Sequence, residues 1–274
     1  MNFDVIGYWS EIKLDIVKEY ALAYSKILAA QQKPKLHHVY IDAFAGAGVH
    51  LSKTTNEAVL GSPLNALSIN PPFREYHLID LNGDKMEVLM HIIGERSDVH
   101  PYTGDCNKVL LNDVFPQVRY EDYRRGLCLL DPYGLHLNWE VVQKAGEMKS
   151  IELFLNFPIM DINRNALWKN PQRVSAGGIK RMNAFWGDDS WRSIAYSTER
   201  NLFGEPEKED NATIVSAYRE RLKEVAGFSY VPEPIPMCNT KGAEVYYLFF
   251  ASNKAVAAHI IRDILDKYRR RGAR

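Results

Sequence analysis

Four short strand-like runs in the first half of the chain each end on an aspartate, and no other feature limits the fold as strongly. VYID closes at Asp42, EYHLID at Asp80, VHPYTGD at Asp105 and LCLLD at Asp131. Each run has the length of a strand buried on both faces, the kind found in parallel sheets covered by helices. Helical stretches separate them over residues 62–71, 82–93, 106–114 and 139–148. This β-α-β-α alternation predicts an α/β, Rossmann-like fold built on a mostly parallel sheet. SIELFLNFP (150–158) supplies a fifth strand. GFSYVPEPIP (227–236) and AEVYYLFFAS (243–252) read as a closing pair joined by the turn 238–242, which makes seven strands.

The remainder divides around this core. In residues 10–29, Ile12, Ile16, Tyr20, Ala23, Tyr24 and Ile27 recur at helical spacing, and Ser10 stands where an N-cap would. The expected organisation is an N-terminal helical segment (1–36), a Rossmann-like core (37–158) and a helical insertion without strand signal (159–209). A C-terminal part (210–274) completes the sheet and ends in a basic helix, KYRRRGAR. Residues 51–61 read as a loop.

Bulk properties exclude several classes. The chain has 274 residues, 46% of them hydrophobic and 25% charged, which suits a packed core and argues against disorder. A net charge of +0 leaves no whole-molecule field for nucleic acid, while a local basic face stays open. No apolar run is long enough for a membrane span, and MNFDVIGYWSEIK lacks the pattern of a secretory leader. Cys106, Cys128 and Cys238 are far apart and form no CxxC. A cytoplasmic, reducing compartment is expected, without a disulfide framework or metal site. His37-His38 have no carboxylate or cysteine at ligand spacing.

The stretch YIDAFAGAG (40–48) places Gly46 and Gly48 at the end of the first strand, where backbone can approach a ligand. A glycine pair alone would equally suit a bare strand-to-helix turn. Acids at three further strand ends favour a nucleoside ligand. Asp80 is placed to accept from ribose hydroxyls, and Asp105 from an adenine amino group. The dinucleotide fingerprint is incomplete, since Val49, His50 and Leu51 follow Gly48 where a third glycine belongs. No G-x-x-x-x-G-K-[ST] P-loop occurs. Asp42 beside the turn would repel a pyrophosphate and suits the ammonium of a methionine moiety. S-adenosylmethionine is therefore favoured over NAD.

Asp131-Pro132-Tyr133-Gly134 follows the fourth strand. Asp131 and the Pro132 carbonyl can accept from an exocyclic amine, and Tyr133 can stack on a planar base. Such a grip would aim an amino lone pair at a sulfonium methyl. An ordinary βα turn is the plainer account. Asn156-Phe157-Pro158 closes the fifth strand at the same edge.

IDAFAGAG resembles the first motif of class I S-adenosylmethionine-dependent methyltransferases. LLDPYG is similar to their fourth motif, with one proline where two are usual. The wider series KLDIVKEYALAYSKIL, YIDAFAGAG, GSPLNAL, HLIDLN and LLDPYG resembles the three-Cys-motif partner protein family (TcmP) over about residues 8–160. That resemblance implies a Rossmann-like methyltransferase acting with a separate three-cysteine, radical-SAM-like protein encoded nearby. Asp42, Phe44, Gly46 and Gly48 would line the methionine end, Asp80 and Leu81 would hold the ribose, and Asp105 and Cys106 would read the adenine. Asp131, Pro132 and Tyr133 would face the acceptor, a nitrogen on nucleic acid (RNA or DNA) or protein. Two other readings remain open: a nucleoside-binding partner subunit without catalysis, and an NAD-dependent oxidoreductase.

Overall fold

Strands β1 (His37–Asp42), β2 (Glu75–Asp80), β3 (Val99–Thr103), β4 (Arg124–Leu130), β5 (Ile151–Phe157), β6 (Ile235–Cys238) and β7 (Glu244–Ala251) form one sheet in a computed structural model. The structure describes residues 4–200, 206–239 and 241–272. Across the sheet the order is β6-β7-β5-β4-β1-β2-β3. The five strands from β5 to β3 pair in parallel, whereas β7 runs antiparallel to β5 and β6 antiparallel to β7. The sheet is therefore mixed. Residues of β5 are all buried, as expected for a strand covered on both faces.

Helices form a layer on each face. On one face lie α1 (Tyr8–Ala30), α2 (Ser62–Leu67), α3 (Gly83–Ile93) and α10 (Ala255–Gly272). Burial of Ile12, Ile16, Tyr20 and Tyr24 at four-residue intervals turns a single stripe of α1 onto the sheet. The opposite layer contains α4 (Cys106–Val109), α5 (Trp139–Met148), α6 (Ile159–Asn165), α7 (Ala176–Trp186), α8 (Trp191–Ala195) and α9 (Asn211–Glu224). An aromatic cluster pins it there. Tyr218 lies 4.7 Å from Phe157 and 5.6 Å from Phe185, centroid to centroid, with Trp186 and Phe249 in contact. Each such buried ring contributes about 1.5–3 kcal/mol.

Several expectations about local structure change. Helix α1 begins at Tyr8 with Gly7 as N-cap, so Ser10 lies inside the first turn. Residues 51–61 are not a plain loop. Val49–Ser52 pairs with Ala58–Leu60 antiparallel and with Asp4–Ile6 in parallel, giving a small second sheet. The insertion carries, besides its helices, a ladder between Tyr196–Arg200 and Pro206–Lys208. The sixth strand starts at Ile235, not at 227, because Pro232 and Pro234 cannot donate to a ladder. The helix expected over 106–114 passes after Val109 into a π-helical turn, Leu110–Val114. The centre of the insertion (201–205), Thr240 in the final turn and the end of the basic tail (273–274) lie outside the described residues.

This topology fixes one location. Strand β1 is followed by β2 on one side, while β4 flanks it on the other. The order reverses at that point, and in such sheets the crevice at the carboxyl ends of the two strands is where ligands fit. Asp42 and Asp131 sit at those two ends.

Candidate functional site

After Asp42 the chain continues between its neighbours: Ala43 N–H donates to Leu129 O (3.1 Å) and Ala45 N–H to Ile79 O (2.9 Å). It then turns through Gly46 (φ 63°) and Gly48 (φ 81°), a left-handed backbone that side-chain-bearing residues avoid. Packing adds a second constraint at Gly48, where a Cβ would lie 2.6 Å from Leu89 Cδ1. Gly61 N–H donates to Gly48 O at 2.7 Å, and a Cβ on Gly61 would meet that oxygen at 2.9 Å. The turn before α2 is thus locked against the glycine turn.

The acids at the strand ends are held in different ways. Asp42 is fully buried and accepts from Phe44 N–H (3.3 Å) and Tyr40 Oη (3.3 Å), with Ser62 also hydrogen-bonded to it. Burial pushes its carboxyl up to about 6, against the pull of those hydrogen bonds. Asp80 accepts from Gly46 N–H (2.8 Å) through one oxygen and from Asn82 N–H (2.8 Å) through the other. It therefore braces the glycine turn and keeps further lone pairs for a ligand. Asp105 caps α4, accepting from Asn107 N–H at 2.9 Å. Cys106 is buried, which pushes its thiol up to about 12 and leaves it neutral. Leu81 is 77% exposed beside them.

Asp131 is the fourth acid, and its partner is Lys13 of α1, whose Nζ forms an ion pair with Asp131 Oδ2. Lys13 is buried. Burial alone would lower its pKa, but Asp131 and then Tyr246 hold it above its ordinary value. Its ammonium also lies 5.3 Å from the centroid of the Tyr246 ring. Pro132 is buried, whereas Tyr133 is 69% exposed, with Lys85 Nζ 6.0 Å from its ring centroid. Lys85 is in turn paired with Asp4 at 2.6 Å, which ties the N-terminal strand to the tyrosine. Gly134 (φ 68°) has no room for a side chain, because a Cβ would sit 2.7 Å from Asp161 Oδ2.

These residues enclose a cavity of about 710 Å³. Of the expected site residues, Phe44, Gly46, Asp131, Pro132 and Tyr133 line it. Asp42 lies beneath it, reaching the lining through Phe44 and Ser62. Gly48, Asp80, Leu81, Asp105 and Cys106 are not part of this lining: Gly48 is turned against Gly61 and Leu89, and the others occupy the adjoining strand ends, joined to the lining by the Gly46–Asp80 bond. Two buried polar atoms at the cavity have no protein partner: Asn156 Oδ1 and His50 Nδ1. Burial lowers the His50 pKa, which keeps the ring neutral and able to accept or donate. An acceptor and an imidazole left unpaired at a cavity wall fit a ligand with its own polar groups.

Sequence reasoning missed Lys13, Lys85, Asp4 and Tyr246. A lysine beside an apolar helix stripe reads as a solvated flank, and the partner that justifies its burial is 118 positions away. Among the described residues no group of three His, Cys, Asp or Glu could hold a metal ion, and no helix is long and apolar enough to cross a membrane.

No family model matches the chain, and no curated protein matches it in sequence. Solved structures do. A Legionella pneumophila protein of the DUF519 family is similar at 12% identity and a TM-score of 0.55, over 93% of this chain and 91% of that one. The methyltransferase domain of bacterial CtHen1 is similar at 9% identity and a TM-score of 0.41, over 86% of this chain and 99% of that one. A Leishmania major protein described as a SAM-dependent methyltransferase is similar at 11% identity and a TM-score of 0.39, over 88% and 72%. The last two scores are too low to carry an argument. The first shows the fold: an α/β architecture on a large mixed sheet.

Proposed function

We propose that this chain is an S-adenosylmethionine-dependent methyltransferase acting on an amino nitrogen of a nucleic acid or protein. One observation carries the reading: at the switch point of the sheet, the glycine turn after β1 and the Asp131-Pro132-Tyr133 turn after β4 face one cavity. The residues fit the cofactor through the left-handed glycine turn at Gly46, the acid that braces it and the unpartnered Asn156 Oδ1 and His50 Nδ1. When bound, the cofactor supplies an electrophilic methyl group. Gly46 and Phe44 would border its methionine end above Asp42, while Asp80, Leu81, Asp105 and Cys106 would hold the nucleoside along the neighbouring strand ends.

The chain's own groups then orient the acceptor. Lys13 fixes Asp131 through Oδ2, which leaves Oδ1 to accept from an amino group alongside the Pro132 carbonyl. Asn156 Oδ1 offers a further acceptor, and the exposed Tyr133 ring a stacking surface. Held in this way, the amine keeps its lone pair directed across the cavity, which is the orientation in-line transfer requires. A three-Cys-motif protein as working partner follows from the sequence resemblance.

A nucleoside-cofactor-binding subunit without catalysis is the second reading, favoured by the same ion pair: Asp131 already holds Lys13, so the group that would grip an acceptor is engaged within the chain. Calorimetric titration of S-adenosylmethionine and S-adenosylhomocysteine, with NADH as control, into wild type and Asp80→Ala tests the cofactor. Micromolar binding weakened in the variant is expected. Equal binding in both would remove Asp80 from the site, and binding of NADH alone would overturn the reading. Labelled methyl transfer to RNA, DNA and protein, with and without the co-expressed partner, then separates enzyme from subunit.

A further inference from the structure

A second cavity, of about 650 Å³, opens at the opposite edge of the sheet, where β4 and β5 begin and β7 ends. Its walls are apolar: Leu28 and Leu36 meet Ile151, Ala257 and Ile260. Ile27 (44% exposed) and Val256 (56% exposed) stand at its mouth with Tyr120 and Tyr123, all large hydrophobic side chains left open to solvent.

Three cations, Arg125, Lys149 and Lys254, line the same space. Among the described residues none of them joins an ion pair. Arg125 and Lys254 instead share one aromatic ring, at 3.6 Å and 5.0 Å from the Tyr120 centroid. Arg125 is further set by the carbonyls of Tyr120 (3.1 Å) and Arg124 (2.7 Å). In the wall Tyr24 is only 6% exposed, yet its hydroxyl has no hydrogen-bond partner. An unmet buried hydroxyl is costly to the fold, and a ligand's polar group can satisfy it. Glu152, also in the lining, accepts from Tyr20 Oη and from Ser252 Oγ (3.0 Å). Burial raises its carboxyl to about 7, so it puts less than a full negative charge into the space.

We infer that this cavity is a binding site for a small amphipathic anion, with an alkyl or fused-ring body against Leu28, Ile151 and Ile260 and an acidic head at Arg125 and Lys254. Size and lining match those of pockets that enclose small ligands: a mostly apolar wall with a few placed polar groups. The unpaired cations choose the sign of the head group, since the lining's other acid, Glu121, is largely exposed and faces Arg119 at 3.9 Å. This site is distinct from the carboxyl-edge cavity: no residue lines both.

Decanoate and 8-anilinonaphthalene-1-sulfonate serve as probes on the full chain. Saturable one-to-one binding of decanoate by calorimetry, with displacement of the fluorescent sulfonate, is expected. Lys254→Glu, which removes the head-group cation, and Val256→Trp, which fills the mouth, should each weaken it about tenfold or more. Thermal midpoints should stay unchanged, and excess S-adenosylhomocysteine should not displace either probe, whether or not it binds at the other edge. Absence of saturable binding, or equal affinity in both variants, overturns the inference. So does a concentration-dependent dimer abolished by Val256→Glu with no decanoate bound, which would assign the cavity to a second copy of the chain.

Discussion

Removing either member of the Lys13–Asp131 pair strands the other, and the costs differ. Lys13 has 9% of its side chain exposed and Asp131 27%, so Asp131→Asn, which leaves the deeper charge unpaired, is expected to cost more than Lys13→Met. A loss of about 3–5 kcal/mol for the first, and a smaller one for the second because Asp131 keeps some contact with water, follow from the penalty on an uncompensated buried charge. The double variant should be less destabilised than the sum, measured by urea unfolding of all four proteins. In the activity assay, Asp131→Ala is expected to abolish methyl transfer while retaining cofactor binding once folding is verified; equal loss of both would deny it an acceptor role. Asp42, Asp80 and Asp131 were legible because each closes an apolar run at a strand end; Asp105 stands two residues past β3 and caps α4. Lys13 was not, since burial of a lysine depends on a partner that only the folded chain supplies. Asn156 stood between these cases: its place at the end of β5 was readable, its unpartnered oxygen was not.

Most of the elements follow from periodicity, and those that do not are the short ones. Strand β5 and the Tyr20–Tyr24 stripe of α1 declare themselves through continuous burial and four-residue spacing. Asp4–Ile6 cannot, because three residues carry no period and its partner strand, Val49–Ser52, lies far along the chain. Yet this strand closes the cavity wall, with Asp4 holding Lys85 beside Tyr133. Deleting residues 1–6 is expected to leave the main sheet intact by circular dichroism while weakening S-adenosylhomocysteine binding by about tenfold or more. Unchanged affinity would show that the strand only shields the wall. Gly61→Ala tests the lock between the two turns. Its Cβ would press on Gly48 O, so binding should fall with about 1–3 kcal/mol of stability, read by calorimetry and thermal melts.

Over the whole molecule, charge is buried near both edges of the sheet, and this ties stability to pH. Glu152 has its carboxyl raised from 4.5 to about 7, mainly by burial. The folded state thus binds this proton more tightly than the unfolded state does. Its contribution is present in full below the ordinary carboxyl range and is lost as pH rises through about 7. Glu152→Gln, which cannot ionise, should gain stability relative to wild type between about pH 5 and about pH 8, by roughly 1–3 kcal/mol. Urea unfolding at both values checks this, and a constant difference would mean that the group stays ionised. Asp42, raised to about 6 by burial, acts with the same sign, so the variant isolates only one of the two.

The parallel register of Asp4–Ile6 with His50, Leu51 and Ser52 has a mechanical consequence. A load pulling on the chain upstream of Asp4 reaches this three-residue ladder before it reaches α1 or any strand of the main sheet. Tension there would peel the ladder away and part the Asp4–Lys85 contact, opening the cavity wall while the sheet stayed whole. Immobilising the protein through its N-terminal side should therefore shorten the residence time of a ligand in this cavity, and tethering through α10 should not.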